Sequence, residues 1–140
     1  EINAAFGLLQ LKHIDEVLDR RREIEASYRN ALSDLQGITI LPQAADTLGN
    51  GSYFPILVEP TFHMSRDELY EHFKTHEIYV RRYFYPLISD FSMYRTEPSA
   101  ATENLPNARA MADKVLCLPM YPALTAADLD RVISTLTKGP

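Results

Sequence analysis

Residues 79–87 (YVRRYFYPL) combine two adjacent arginines with a cluster of aromatic rings. Aromatic and apolar residues alternate with cations in the first half, which predicts a strand exposed on one face. Because successive side chains of a strand point to opposite sides, Arg81 and Arg82 cannot share a face. An arginine fork suits carboxylate or phosphate, and tyrosine offers a flat face with a polar tip. We therefore predict that this strand end faces a ligand and that the flanking helices support it.

The other reactive residue types do not form a complete active site on their own. Cys117 has no cationic neighbour in the sequence, so we predict a buried thiol. His72 and His76 lie four residues apart on one helix face, but without a third ligand nearby they are interpreted as two surface histidines. The four lysines lie on predicted helices or at the chain end among polar neighbours. None of them is therefore expected to act as a Schiff-base amine.

Length and composition are those of one soluble globular domain, with 140 residues, 46% hydrophobic and 24% charged. The net charge of −5 argues against a nucleic-acid surface, which would carry a basic excess. No apolar run approaches the roughly 20 residues of a membrane span. A single cysteine leaves no disulfide framework, which favours a reducing compartment. We therefore predict a cytoplasmic protein that binds neither nucleic acid nor membrane.

A long amphipathic helix, or two helices with a bend, is predicted for residues 2–35, where apolar residues recur at steps of three and four. A helix of roughly 30 residues would be about 45 Å long, more than a small domain needs for itself. It is therefore interpreted as a connector between domains or subunits. The sequence begins inside this pattern without a methionine, so we expect the carboxy-terminal piece of a longer protein. We divide it into a linking or interface helix, residues 1–36, and a small domain, residues 37–140.

The small domain is predicted to be an α+β layer with helices packed on a small sheet. Pro55 removes one ladder donor, so its strand is expected at a sheet edge or at a bulge. Ser65 and Glu68 form a capping box, and Thr125 is expected to cap the last helix. Strands are predicted at residues 38–41, 53–58 and 79–87, and helices at residues 65–76, 107–116 and after residue 125.

Several blocks of the sequence together resemble the sugar aminotransferases of the DegT/DnrJ/EryC1/StrS family. They are EINAAFGLLQL at residues 1–11, RYFYPL at 82–87, LPNA at 105–108 and LCLPMYP at 116–122, and they occur in the family's order. The resemblance implies a pyridoxal-phosphate enzyme of fold type I, the aspartate-aminotransferase fold. It implies that this chain is the small carboxy-terminal α+β domain of such an enzyme with its linking helix. We expect the full-length protein to be a homodimer.

Enzymes of this family transfer an amino group, usually from glutamate, to a keto carbon of a nucleotide-linked sugar, with pyridoxal phosphate as the electron sink. The form RYFYPL resembles the 4-aminotransferases that act on dTDP-4-keto-6-deoxyglucose, in cell-surface polysaccharide or deoxyaminosugar biosynthesis. The family's Schiff-base lysine, its aspartate facing the pyridine nitrogen and most of its phosphate ligands match no residue here. The resemblance therefore assigns no catalytic and no cofactor-binding residue to this chain, and the chain alone is expected to be inactive.

Carried over residue by residue, the resemblance implies a sugar-nucleotide contact for four residues. They are Arg82, Tyr83, Phe84 and Tyr85. The alternative is that these residues form a sheet edge packed on the aromatic residues that follow, and that Arg81 pairs with an acid on a covering helix. For the whole chain, the alternative function is a non-catalytic α+β module for ligand binding or dimerisation.

Overall fold

The first two helices are separate elements that differ in burial. In a computed structural model, which describes residues 1–43 and 46–138, the chain forms α1 over Ile2–Leu11 and α2 over Ile14–Leu32. No residue of α1 is buried, whereas Ile24, Tyr28 and Leu32 of α2 are buried. Of the two arrangements predicted for residues 2–35, two helices with a bend is the one observed. The second helix packs in the core and the first contributes nothing to it.

The elements that follow build one antiparallel sheet and three more α-helices. In the described part of the chain they are β1 over Ile38–Ile40, β2 over Phe54–Val58, α3 over Arg66–Thr75, α4 over Pro106–Lys114, β3 over Val115–Leu118 and α5 over Ala126–Lys138. Short 3-10 turns lie between α3 and α4, at Ile88–Asp90, Pro98–Ala100 and Thr102–Asn104. No helix of the described residues has both the length and the apolar character that a membrane span requires.

The middle strand of the sheet is β2, in the order β1-β2-β3. The prediction that Pro55 marks an edge strand or a bulge is therefore wrong, because Pro55 lies in regular register opposite Cys117. Pairing with β1 stops at Ile56, so β1 does not need a donor from Pro55. On the other side, Cys117 exchanges both of its backbone hydrogen bonds with Arg81. The missing N–H of proline thus falls where neither neighbour requires it.

The third strand is not the one predicted. Residues 79–87 contribute a single antiparallel bridge, between Arg81 and Cys117, and then leave the sheet. They cannot continue as a strand because Phe84 has a φ of 45°, outside the extended region. The predicted helix at 107–116 also extends too far: α4 ends at Lys114, and all four residues of β3 are buried in the sheet.

The core lies between the sheet and helices α2, α3 and α5. These helices bury residues at helical spacing on one face each: Ile24, Tyr28 and Leu32; Leu69 and Phe73; Leu129, Val132 and Leu136. The apolar periodicity of the sequence therefore identified the packing faces of all three helices.

Two helix caps predicted from the sequence are confirmed. The backbone N–H of Glu68 donates to the Ser65 hydroxyl at 3.3 Å, and the Glu68 carboxylate accepts from the Ser65 backbone N–H at 2.7 Å. The hydrogen bond from the Ser65 backbone lowers the pKa of Glu68 below its ordinary value. A second hydrogen bond, from the Ser65 hydroxyl to the same carboxylate, has a smaller effect in the same direction. At α5 the backbone N–H of Asp128 donates to the Thr125 hydroxyl at 3.1 Å. The Ser65 cap fixes the first turn of α3, which lies beside the candidate site.

Candidate functional site

Residues 81–85, the arginine segment, are anchored to the sheet at one end. The Arg81 N–H donates to the Cys117 carbonyl at 3.0 Å, and the Cys117 N–H donates back to the Arg81 carbonyl at 2.8 Å. Beyond this bridge the chain turns at Tyr83 and Phe84. The segment is therefore a turn held at the side of β3, which gives its side chains defined starting positions.

Arg82 is held against the first turns of α3. Its Nη1 lies 3.2 Å from Oδ1 of Asp67. Its guanidinium carbon lies 4.3 Å from the ring centroid of Tyr70 and 5.1 Å from that of Tyr85. The same Asp67 oxygen lies 2.9 Å from Nε of Arg66. We call Arg66, Asp67, Tyr70, Arg82 and Tyr85 the Asp67 cluster.

Arg66 is the buried member of the Asp67 cluster and was not singled out by the sequence analysis. Its side chain is 5% exposed, and its guanidinium carbon lies 4.7 Å above the Tyr85 ring. Neither its Nε nor its Nη1 has a hydrogen-bond partner among the described residues, so Nε meets the Asp67 carboxylate as an ion pair without hydrogen-bond geometry. Asp67 is therefore the counter-charge of a cation shielded from water. A sequence signal did exist, because an arginine in the first turn of a helix opposes the helix dipole and needs another reason to be there.

Two of the three aromatic residues of the arginine segment are exposed, and the third is half-buried. The Tyr83 ring makes an edge contact with Tyr53, with centroids 5.2 Å apart, and lies 4.2 Å from the Phe84 ring. Phe84 is 67% exposed and Tyr85 is about half exposed. The structure thus joins Tyr83 and Phe84 to each other, and Arg82 and Tyr85 to α3. All four predicted site residues lie in one turn with aromatic faces open on its outside.

A cavity of about 320 Å³ lies beside the backbone bridge between Arg81 and Cys117, and both residues line it. Besides Arg81 its lining includes Tyr53, Tyr79 and Tyr121, together with Ser52 and the end of β3. An ion pair between Arg81 and an acid on a covering helix was the alternative expected from the sequence, but among the described residues Arg82 forms such a pair, with Asp67 on α3. The cavity was not predicted, because its wall at residues 117–121 is more than thirty residues away in the sequence.

Two buried groups, the Cys117 thiol and the Tyr28 hydroxyl, lie at the wall of this cavity. Cys117 is buried, as predicted, and burial raises the pKa of its thiol to about 11, while the positive charge of Arg81 acts in the opposite direction. The Tyr28 hydroxyl donates to the Pro119 carbonyl at 2.9 Å, and burial raises the pKa of this phenol. Both groups are therefore uncharged at neutral pH, and the Tyr28 hydroxyl holds the backbone of the cavity wall at Pro119.

The residues of this chain do not fit pyridoxal phosphate by themselves. That cofactor requires a lysine amine in a pocket, but Lys114 is paired with Glu59 at 2.8 Å and Lys74 with Glu71 at 3.6 Å. Lys12 and Lys138 are exposed. His72 and His76 lie on α3 with ring centroids 4.6 Å apart, and no group of three possible metal ligands occurs among the described residues. No cofactor or metal site is therefore assigned within the described part of the chain.

Comparison with solved structures places this arrangement in a known fold. TlmJ, an aminotransferase from Streptoalloteichus hindustanus, superposes with a TM-score of 0.83 at 28% identity, over 96% of this chain and 35% of that one. DesI, solved in the presence of its TDP-sugar product, superposes with a TM-score of 0.86 at 32% identity, over 96% of this chain and 34% of that one. The predicted fold, the small carboxy-terminal α+β domain of a fold-type I aminotransferase, is confirmed by these similarities.

Sequence comparisons agree with the structural ones. The chain is 51% identical over 138 residues to a dTDP-4-amino-4,6-dideoxy-D-glucose transaminase of Escherichia coli, and 46% identical over 136 residues to one of Shigella dysenteriae. These alignments cover 99% and 97% of the chain but 36% of each relative, so the chain spans about a third of their length. Residues 1–137 match the pattern of one family of enzymes. The chain therefore belongs to the DegT/DnrJ/EryC1/StrS aminotransferase family.

Proposed function

We propose that this chain is part of a pyridoxal-phosphate-dependent aminotransferase that moves an amino group from glutamate to a nucleotide-linked keto sugar such as dTDP-4-keto-6-deoxyglucose. The observation that carries the proposal is the 51% identity, over 138 residues, to a transaminase whose name specifies a dTDP-linked 4-amino sugar. Because the chain spans about a third of that relative, the cofactor and its lysine belong to parts of the protein outside these 140 residues.

Within the proposed enzyme, the arginine segment contributes substrate contacts. A nucleotide sugar carries a flat base and two phosphates, which call for aromatic faces and cations. Phe84 and Tyr85 offer exposed aromatic faces, and Tyr83 is half-buried against Tyr53 and Phe84. Arg82 lies in the same turn with Asp67 and two tyrosine rings around it, so its main contribution is to hold the turn in place. We propose all four residues as the substrate-side wall of the site.

Helix α1 supports assembly with a further part of the protein. Its apolar side chains point in several directions, and those of Ile2, Phe6, Leu8, Leu9 and Leu11 are 55% to 85% exposed. Such a concentration of exposed apolar side chains on one helix marks an interface. We propose that α1 packs against the rest of the protein and its second copy in a homodimer, where residues 1–36 would act as the linking element.

The test of the proposed function compares the intact protein with this chain. The intact protein, incubated with glutamate and dTDP-4-keto-6-deoxyglucose, should form 2-oxoglutarate and an amino sugar nucleotide, as measured by coupled assay and mass spectrometry. The 140-residue chain alone should form neither product and should retain no cofactor absorbance after dialysis. Absence of glutamate-dependent amination by the intact protein would refute the proposal. Activity or tight cofactor binding by the chain alone would refute the proposal that the cofactor and its lysine belong to other parts of the protein.

A further inference from the structure

We propose that the Arg81 cavity, lined by Ser52, Tyr53, Tyr79, Arg81, Met120 and Tyr121 together with the end of β3, binds an oxyanion of a small-molecule substrate through the Arg81 guanidinium. The inference rests on the proposed aminotransferase function and adds to it a second ligand-facing arginine, on the opposite side of the bridge from Arg82. A diphosphate and a carboxylate share the required chemistry, and the experiment below separates them.

Arg81 is held on a rigid part of the fold. The two backbone hydrogen bonds between Arg81 and Cys117, at 3.0 and 2.8 Å, tie Arg81 to a buried strand. The preceding residue, Val80, is buried in the core, so the Arg81 side chain leaves the opposite side of the extended backbone. A cation on such a rigid element keeps its position when a ligand arrives, which reduces the entropy lost on binding.

The positive charge of Arg81 has no counter-charge in the described part of the chain. Asp67 lies beside Arg82 and Arg66, whereas the Arg81 guanidinium makes no hydrogen bond or ion pair with any described residue. Arg81 is also the only formally charged residue among the described residues that line the cavity. The buried Cys117 thiol remains protonated at neutral pH, because its pKa is raised to about 11, so it supplies no negative charge either. In a chain of net charge −5, this cavity keeps an uncompensated cation.

The size of the cavity and the hydroxyl groups in its lining suit a small anionic molecule. A volume of about 320 Å³ lies at the lower end of the range for small-molecule pockets. Three tyrosines bring hydroxyl groups to the lining, and these can donate to oxygen atoms that the arginine fork leaves unsatisfied. The Ser52 hydroxyl already donates to the Asn50 side-chain oxygen at 2.7 Å. The tyrosine rings provide faces for the organic part of the ligand. A lining with free donors and a cation favours a small anionic molecule over an apolar protein segment.

The test uses the intact protein with Arg81→Gln and Arg81→Lys, and with Arg95→Gln as the control, an exposed arginine outside the cavity lining. Loss of a charge-assisted hydrogen bond weakens binding by about ten- to one-hundred-fold. Arg81→Gln should raise the KM of one substrate by that factor with kcat changed less than about threefold, and Arg81→Lys should recover part of the loss. An increased KM for the sugar nucleotide identifies the diphosphate as the ligand group, and an increased KM for glutamate identifies the carboxylate.

A binding measurement separates this inference from the proposed function. Titration of the intact protein with dTDP and, separately, with glutamate should show an affinity that falls in Arg81→Gln and is unchanged in Arg95→Gln. If this holds while no amination occurs, the proposed function fails and the anion site stands. If amination occurs while both KM values and both affinities are unchanged in Arg81→Gln, the anion site is refuted. A fall in melting temperature with unchanged KM values would also refute it, since that result shows that Arg81 serves the stability of the fold and not ligand binding.

Discussion

Substitution of Arg82 should destabilise the fold, although its neighbour Arg81 can be changed without this effect. Arg82 is bound on three sides, by the Asp67 carboxylate and by the rings of Tyr70 and Tyr85. Arg81 has only its backbone in the sheet. Arg82→Gln keeps a polar side chain of similar length but removes the charge, so the experiment isolates the ion pair and the two cation–π contacts.

The expected magnitude follows from the geometry of the Asp67 cluster. The Arg82 and Asp67 side chains are 30% and 59% exposed, so their ion pair contributes about 0.2–1 kcal/mol. Each cation–π contact at a partly exposed site contributes about 0.5–1 kcal/mol. The three contacts share one guanidinium and do not simply add. We therefore expect Arg82→Gln to lower the free energy of unfolding by about 1–2 kcal/mol, and Arg81→Gln to change it by less than about 0.5 kcal/mol.

Asp67→Asn should cost more than Arg82→Gln. Asp67 lies beside both arginines, and its loss leaves the buried Arg66 without a counter-charge. Removing the partner of a buried polar group costs about 1–3 kcal/mol, more when that group is charged. The Asp67→Asn/Arg82→Gln double mutant should be less destabilised than the sum of the two single mutants, since the first substitution already breaks the shared ion pair.

Urea unfolding followed by far-UV circular dichroism measures all four variants at equal protein concentration. The expected order of destabilisation is Asp67→Asn, then Arg82→Gln, then Arg81→Gln, with similar m-values throughout. Equal midpoints for Arg82→Gln and Arg81→Gln would show that the Asp67 cluster does not stabilise the turn. A midpoint for Asp67→Asn above that for Arg82→Gln would show that Arg66 does not depend on Asp67.

Two further predictions concern assembly and pH. If α1 forms the dimer interface, Leu8→Glu with Leu11→Glu should convert a full-length dimer to monomer by light scattering, while Leu48→Glu, at a loop leucine that is 92% exposed, should not; an intact dimer in the double variant would contradict the assignment. Because the pKa of Glu68 is lowered in the fold, the capping box contributes stability above the ordinary glutamate pKa and loses it as the pH falls through the lowered value. Glu68→Gln should therefore lower the urea midpoint at neutral pH, with a difference from wild type that disappears in acid; a difference independent of pH would exclude the carboxylate as its cause.

The helices were the most predictable part of this fold. Helical spacing of apolar residues and side-chain caps are local properties, so α2, α3 and α5 follow from sequence alone. A short apolar run is different, because it suits a strand as well as the end of a helix. Residues 115 and 116 were therefore assigned to the end of α4, although the sheet requires residues 115–118 as its third strand. Their burial comes from β2, a partner sixty residues earlier in the chain.

The positions of the strands in the sheet could likewise not be predicted from the local sequence pattern. Aromatic residues and cations alternate at residues 79–87, but these side chains contact α3 or lie in the turn at Phe84 instead of continuing a strand. Only the pair of Arg81 and Cys117 joins this segment to the sheet. Pro55 suggested an edge strand because its missing donor was assumed to face a full ladder. In the structure the ladder on one side has already ended, and on the other side Arg81 occupies the partner's hydrogen bonds.

The adjacent arginines show how far sequence reasoning carries at the site itself. Alternation along an extended chain correctly separated Arg81 from Arg82, and it required that one of them face the elements covering the sheet. It could not say which one, because that depends on the register of a single bridge to Cys117 and on the place of one carboxylate. The capping box of α3 sets that place, since the helix that begins after Ser65 puts Asp67 in its first turn. Arg82 is on the side that meets Asp67, so the charge that remains available to a ligand is that of Arg81.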